Sequence, residues 1–281
     1  MTDPASPTKT ALLHDSLQLD RRARAMLKAM GVHWMWPSAP ETPAASPIVA
    51  TKRSSVPPLR PIETAIEPER AALTPSVGDP TRAAVKTDSL SWDTLPDTLQ
   101  ACQSCGLCEG RSGAVAGSGS TGAKWVFVVD HLPSTETNGA SVGPSELKLF
   151  EAICKAMSLA PSQVYLTSLT KCRAAPGLAP KPSDVAQCLP YLHAQLAWLQ
   201  PDMVVAMGLP VAQALLPNTR TQGRALGQLR GQIHATELPG QVPAVVTYPL
   251  TAMLRNAQEK PKVWADMCLA LAEVEARAPR G

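Results

Sequence analysis

Four short apolar runs stand out along the chain: Trp125–Val129, Val164–Leu169, Met203–Met207 and Ala244–Tyr248. They are rich in β-branched and aromatic residues, which predicts buried strands. Between them the apolar positions change to helical spacing. Ser145–Ala156 places Leu147, Phe150 and Ile153 on one face, and Ser183–Leu199 does the same with Val185, Leu189, Leu192 and Leu196. A last helix is predicted over Lys262–Ala276. Strands that alternate with helices imply an α/β domain of three α/β/α layers, with a central, mostly parallel sheet of four strands.

The first part of the chain follows other rules. From about Asp15 to Pro37, Leu19, Ala23, Met26, Leu27 and Met30 recur at helical spacing, and Arg21, Arg22, Arg24 and Lys28 fill the opposite face. Asp20 is a candidate cap and Gly31 a candidate stop. Val32, Trp34 and Trp36 follow, ending at Pro37. Eleven of the 28 prolines then fall between Pro37 and Pro96, among Ala, Ser, Thr and charged residues. That composition cannot bury enough apolar area to offset the entropy of ordering it. The expected organisation is a partner-binding peptide over 1–36, a disordered linker over 37–97, and a folded domain over 98–281.

A hydrophobic fraction of 44% leaves enough material for one buried core. No apolar run approaches the roughly 18–20 residues that cross a bilayer. The opening MTDPASPTKT lacks the apolar stretch of a secretory signal, so a soluble cytoplasmic protein is expected, with no membrane partner. A net charge of +3 is too small to argue for nucleic acid, and any DNA contact is expected to be weak or indirect.

Seven cysteines change this picture. Cys102-Gln-Ser-Cys105 is a CxxC, and Cys172 and Cys188 lie far downstream. A tight CxxC turn lets two thiolates grip one metal centre while remote cysteines complete the shell. From chemistry alone, a Cys₄ zinc site and ordinary buried cysteines remain open beside a cluster. Cys108 adds an overlapping CxxC, so three thiols compete for two places. Cys154 and Cys268 sit on apolar helix faces and are expected in the core.

The run Cys102-Gln-Ser-Cys105-Gly-Leu-Cys108-Glu-Gly-Arg111, followed by Val115-Ala-Gly117-Ser-Gly119, resembles the opening of the iron–sulfur (family 4-like) uracil-DNA glycosylases. Thr170-Lys171-Cys172-Arg173, Pro180-x-Pro182 and Cys188 are similar to that family's KCR…PxP…C block. Pro201-Asp202, Val204–Gly208, Leu229-Arg230-Gly231, Leu254-Arg255-Asn256 and Lys262–Asp266 continue the likeness to about residue 276. The resemblance implies a uracil-DNA glycosylase-like fold. It also implies a [4Fe–4S] cluster on Cys102, Cys105, Cys172 and Cys188.

The positions that carry that family's chemistry differ. Where the family has a G-E-x-P-G turn, this chain has Asp130-His131-Leu132-Pro133-Ser134. Ser141 stands where a phenylalanine stacks on uracil, and Ser168 where an asparagine reads its edge. Serine is too short to make paired amide contacts. Pro249 stands where a histidine supports the leaving group. These substitutions predict no catalytic residues, with His131 an ordinary surface or core histidine.

A second resemblance then supplies an expected role. Arg21-Arg22-Ala-Arg-Ala-Met26-Leu27-Lys-Ala-Met30-Gly31-Val32-His-Trp34 is similar to the N-terminal peptide of the psi subunit of bacterial DNA polymerase III. The Asp130-His-Leu-Pro133 turn resembles the psi family's N-D-L-P turn. This implies a non-catalytic accessory subunit whose Arg21, Arg22, Met26, Leu27, Met30, Val32, Trp34 and Trp36 dock on clamp-loader ATPase subunits. The folded domain would then bind a chi-type partner. The alternatives are an iron–sulfur uracil-DNA glycosylase of base-excision repair, and a DNA-binding module without catalysis.

Overall fold

The computed structural model describes residues 90–130, 142–173, 180–238 and 241–278. The expected docking peptide, most of the proline-rich linker, and His131, Pro133 and Ser141 lie outside the described residues.

Four central strands, β3 (Trp125–Val129), β4 (Val164–Ser168), β6 (Met203–Met207) and β8 (Pro243–Thr247), are buried along their whole length. They pair in parallel in the order β4-β3-β6-β8. Parallel strands covered on both faces read as unbroken apolar runs, which is why the sequence shows them so plainly. The sheet has six strands, however, and not the expected four. Two antiparallel edge strands, β2 (Ser118–Gly119) and β7 (Ile233–Ala235), flank the parallel core. At two and three residues they are too short to show a period. Gly119 makes the β2 edge achievable. Its φ is +128°, and a Cβ there would lie 2.2 Å from the Val164 carbonyl oxygen.

On one face, Val126, Val128, Val204, Ala206, Ala244 and Val246 pack on helix α3 (Pro182–Leu199) and helix α4 (Leu209–Leu215). On the other, Phe127 meets Phe150 of helix α2 (Pro144–Ala156) edge-on, at 5.0 Å between ring centroids. Two single-turn helices, α5 (Asn218–Thr221) and α6 (Leu226–Leu229), lead from α4 toward β7. Helix α8 (Lys260–Arg277) buries Val263, Trp264, Met267 and Ala270 and packs on β8. The expected three-layer α/β/α architecture is therefore present.

The packed region begins before residue 98. Leu95 opens helix α1 (Leu95–Ala101) and is fully buried, while Trp92 lies 5.5 Å from Tyr165 and 5.1 Å from Trp198 by ring centroids. The expected linker thus ended too late, because its compositional signal hid two anchoring apolar residues. Cys268 is exposed and not in the core, since the buried stripe of α8 passes through Trp264 and Met267. Cys154 is half-buried, and burial pushes its thiol up to about 12. Among the described residues no helix is long and apolar enough to cross a membrane.

Candidate functional site

Four separate elements bring cysteines to one cleft. Cys102 follows the last residue of α1, and Cys105 precedes a 3₁₀ turn over Gly106–Cys108. Cys172 lies in β5 (Cys172–Arg173), which pairs antiparallel with β1 (Gly113–Ala114). Cys188 sits in the second turn of α3. All four line a cleft of about 260 Å³, counting its open mouth, together with Leu99, Lys171 and Tyr191. Cys108 does not line it.

Polar contacts fix this arrangement. Asp184, in the first turn of α3, accepts from the backbone N–H of Lys181 at 3.0 Å and of Gly106 at 3.1 Å. One carboxylate therefore caps its own helix and ties the CxxC turn to the helix that carries Cys188 four residues on. Arg111 donates to Cys172 Sγ at 3.1 Å and also to the Gln100 carbonyl. The Lys171 backbone N–H donates to Cys188 Sγ at 3.2 Å.

The thiols are electrically unequal. A hydrogen bond from Cys105, helped by the Arg111 guanidinium, lowers Cys172 to about 6. Donating that same bond, together with burial, pushes the Cys105 thiol up. Burial raises Cys188 to about 11, against the pull of Lys171. Among the described residues, no three His, Cys, Asp or Glu side chains converge tightly enough to share a single metal ion. The donor set is four thiols spread around a cleft, with N–H groups aimed at two of the sulfurs.

Lys171 is fully buried beside this cleft. Its ammonium donates to Thr167 Oγ1 at 2.6 Å and to the Ser168 carbonyl at 2.7 Å. Burial lowers it to about 7. Thr167 Oγ1 and Gln195 Nε2 both donate to the Ala116 carbonyl at 2.8 Å, and Gln195 Nε2 also reaches the Tyr165 hydroxyl at 3.2 Å. A buried polar network therefore runs from the cysteines to the tip of β4.

A second site lies at the carboxyl edge of the sheet. From β3 the chain crosses to β4 on one side, while β6 and β8 extend the sheet on the other. Ligands of open α/β sheets bind where the strand order reverses in this way. Asp130 follows β3 and is half-buried, and its carbonyl accepts from the Thr170 N–H at 3.3 Å. Gly208 follows β6 at φ +114°, a conformation L side chains rarely adopt, with Pro249 near the place a Cβ would occupy. Ser168 Oγ donates at 2.7 Å to the Thr170 carbonyl, so its proton is committed to the backbone. Thr170 Oγ1 is buried without a hydrogen-bond partner.

The turn after β8 is held from behind. Asp266 of α8 is paired with Arg230 at 2.8 Å and accepts from Thr247 Oγ1 at 2.6 Å and from the Gly231 N–H at 3.2 Å. Arg230 also lies over the Tyr248 ring at 4.8 Å. Helix α7 (Leu250–Arg255) then leaves this edge with Leu250 and Met253 buried. Leu254 is 44% exposed.

Residues 117–268, more than half the chain, match the Uracil DNA glycosylase superfamily. The chain belongs to this superfamily. A type-4 uracil-DNA glycosylase of Pyrobaculum aerophilum is 28% identical over 179 residues, covering 62% of this chain and 90% of the relative. One from Archaeoglobus fulgidus is 25% identical and covers 63% and 89%. One from Thermotoga maritima is 28% identical over 118 residues and covers 41% and 61%.

Superfamily membership overturns the accessory-subunit expectation. The matched region and its relatives are of the uracil-DNA glycosylase kind, which leaves the psi-like role and its clamp-loader and chi-type partners without support. The physical reason for the error is low specificity. Any basic amphipathic segment ending in tryptophans fits the docking pattern, and a short polar turn ending in proline follows many α/β strands. Arg21, Arg22, Met26, Leu27, Met30, Val32, Trp34 and Trp36 all fall outside the described residues.

Within the superfamily frame, the structure brings Cys102, Cys105, Cys172 and Cys188 to one cleft. It places Ser168 at the tip of β4 and Pro249 beside Gly208 at the carboxyl edge. Sequence reasoning missed the functional weight of Asp184, Arg111, Asp130 and Lys171. Asp184 carried a readable signal, standing one helical turn before Cys188.

Proposed function

We propose that this protein is a DNA glycosylase of base-excision repair, of the type-4 uracil-DNA glycosylase kind, that acts on a base extruded from DNA. The observation that carries the reading is the match of residues 117–268 to the Uracil DNA glycosylase superfamily, and an exposed leucine after β8 supports it as a candidate wedge. Leu254 is the exposed large hydrophobic residue among those described, and the exposed Arg255 follows it. The pair leaves the sheet in the short helix that follows β8, beside the β3–β6 crevice. Extruding a base costs a few kcal/mol of unstacking, and an apolar wedge next to a phosphate-seeking cation helps to offset it.

Asp130 supplies a carboxylate at the mouth of that crevice. In this reading it orients and deprotonates the attacking water while the base sits toward Ser168 and Gly208. Ser168 offers an oxygen and not an amide, and Pro249 offers no proton, so excision is slower and less selective than with an amide and an imidazole there.

The four cysteines supply the four thiolates that a [4Fe–4S] cluster needs, the centre that the resemblance to the iron–sulfur glycosylases implies. A tetrahedral zinc ion draws four sulfurs to about 2.3 Å from one point, whereas a cluster takes one thiolate at each corner iron. Four thiols lining one cleft supply the corner ligands of the second arrangement. When bound, the cluster would crosslink α1, the CxxC turn, β5 and α3.

Incubating the full-length protein with a uracil-containing single strand tests the function. Alkali-labile abasic sites should appear at the uracil, and Asp130→Asn should slow them about 100-fold. Accumulation at the same rate in the Asp130→Asn variant would remove Asp130 from the mechanism. An intact strand with wild-type protein would remove the reading itself.

A further inference from the structure

Lys171 presents an electrostatic imbalance. It is fully buried, yet both partners of its ammonium are neutral oxygens, Thr167 Oγ1 and the Ser168 carbonyl. Among the described residues no carboxylate pairs with it. The nearby acid, Asp184, is occupied by the Gly106 and Lys181 N–H groups. A buried cation costs heavily unless an anion sits close by. The remaining candidates for that anion are sulfurs: Cys188, which accepts the Lys171 N–H, and Cys172, its neighbour in the chain.

We propose that Lys171 is the buried counter-cation of the four-cysteine centre and ties that centre to the tip of β4. The proposal rests on the metal-bearing reading given above. Four thiolates around iron leave a net negative charge in a largely apolar surround, and Lys171 is the charge that balances it. The same ammonium holds the Ser168 carbonyl, so the cysteine centre and the crevice edge share one side chain. Lys171 is thus a positioning residue. It lines the cysteine cleft and holds the end of β4 through the Ser168 carbonyl, so it acts on the crevice through the strand end that borders it.

The test uses the full-length protein purified without oxygen. Metal content of the wild type judges the cluster alone: iron with visible absorbance supports it, and stoichiometric zinc removes it while leaving the lysine testable. Lys171→Met is then compared with wild type for release of its bound metal to a chelator. Release should be on the order of 10-fold faster, as for other outer-shell partners of metal ligands. With iron bound, the midpoint potential should move to more negative values, because the reduced centre loses a nearby cation. Lys171→Arg, which keeps the charge, should return both toward wild type. Wild-type release and an unmoved potential in Lys171→Met would overturn the proposal. If Lys171→Met fails to fold, hydrogen exchange of the wild type decides. Stripping the metal should speed exchange at Leu169 to Cys172 by on the order of 10-fold, and unchanged exchange there would overturn the proposal.

Discussion

The cysteine cleft and the β3–β6 crevice lie on either side of the tip of β4, and they treat their polar groups in opposite ways. In the cleft, Cys172 accepts from Arg111, Cys188 from the Lys171 backbone, and Asp184 from two N–H groups. In the crevice, Ser168 is bonded back to its own chain, Thr170 Oγ1 has no partner, and Pro249 has no side-chain donor. A fully partnered buried network specifies one arrangement, whereas a sparsely furnished edge leaves room for a ligand. In the cleft the polar partners hold the thiols in place around one centre, and in the crevice the open edge is left to a ligand.

The comparison can be broken most severely at the cleft. Cys188→Ala should abolish metal retention and lower apparent stability by on the order of 10 kcal/mol, since metal binding to such a site is also folding energy. Iron analysis with a thermal melt reads both effects. A variant that keeps its metal and its melting temperature would mean that the cleft is not a metal centre.

A lesser effect is expected behind the crevice. Asp266 and Arg230 form a largely buried pair, with side chains 1% and 14% exposed. Removing one partner of such a pair leaves an uncompensated charge and costs about 3–5 kcal/mol. Asp266→Ala should lose that much in denaturant unfolding while retaining its iron. Loss of iron would show that the two sites are not independent.

Smaller effects follow at the edge itself. Pro249→His places a protonatable ring at the turn after β8, and it should raise uracil excision about 10-fold as one added electrostatic group. Leu254→Ala should weaken binding to uracil-containing duplex by about 1 kcal/mol, through lost apolar burial against the bases. A fluorescence titration at fixed salt reads this change. Equal loss on a single strand, which needs no wedge, would contradict the wedge assignment.

How much of this was legible depended on how each feature is written into the chain. The central strands are continuous apolar runs because both of their faces are buried, and β3 and β6 keep the bounds their runs suggest. The edges β2 and β7 leave no period, and the first anchors of the domain, Trp92 and Leu95, are buried in a compositional stretch that reads as linker. The four cysteines are marked as a set by the family resemblance and not by spacing, because a CxxC with two remote thiols leaves zinc and plain burial equally open. The role of Lys171 has no such mark, since a lysine looks solvent-exposed until the fold turns it inward. The N-terminal pattern shows the opposite failure. Basic and apolar positions at helical spacing are common, so the likeness to a docking peptide carried more weight than its residues could bear.

Removal of uracil from DNA at the β3–β6 crevice is the activity proposed for this protein. The most direct test is to incubate the full-length, metal-loaded protein in excess over a single-stranded oligonucleotide carrying one uracil, then to quantify released free base and abasic sites together. The account predicts free uracil in equal amount to abasic sites, in a reaction slowed about 100-fold by Asp130→Asn. Release of no base above a protein-free control would contradict it.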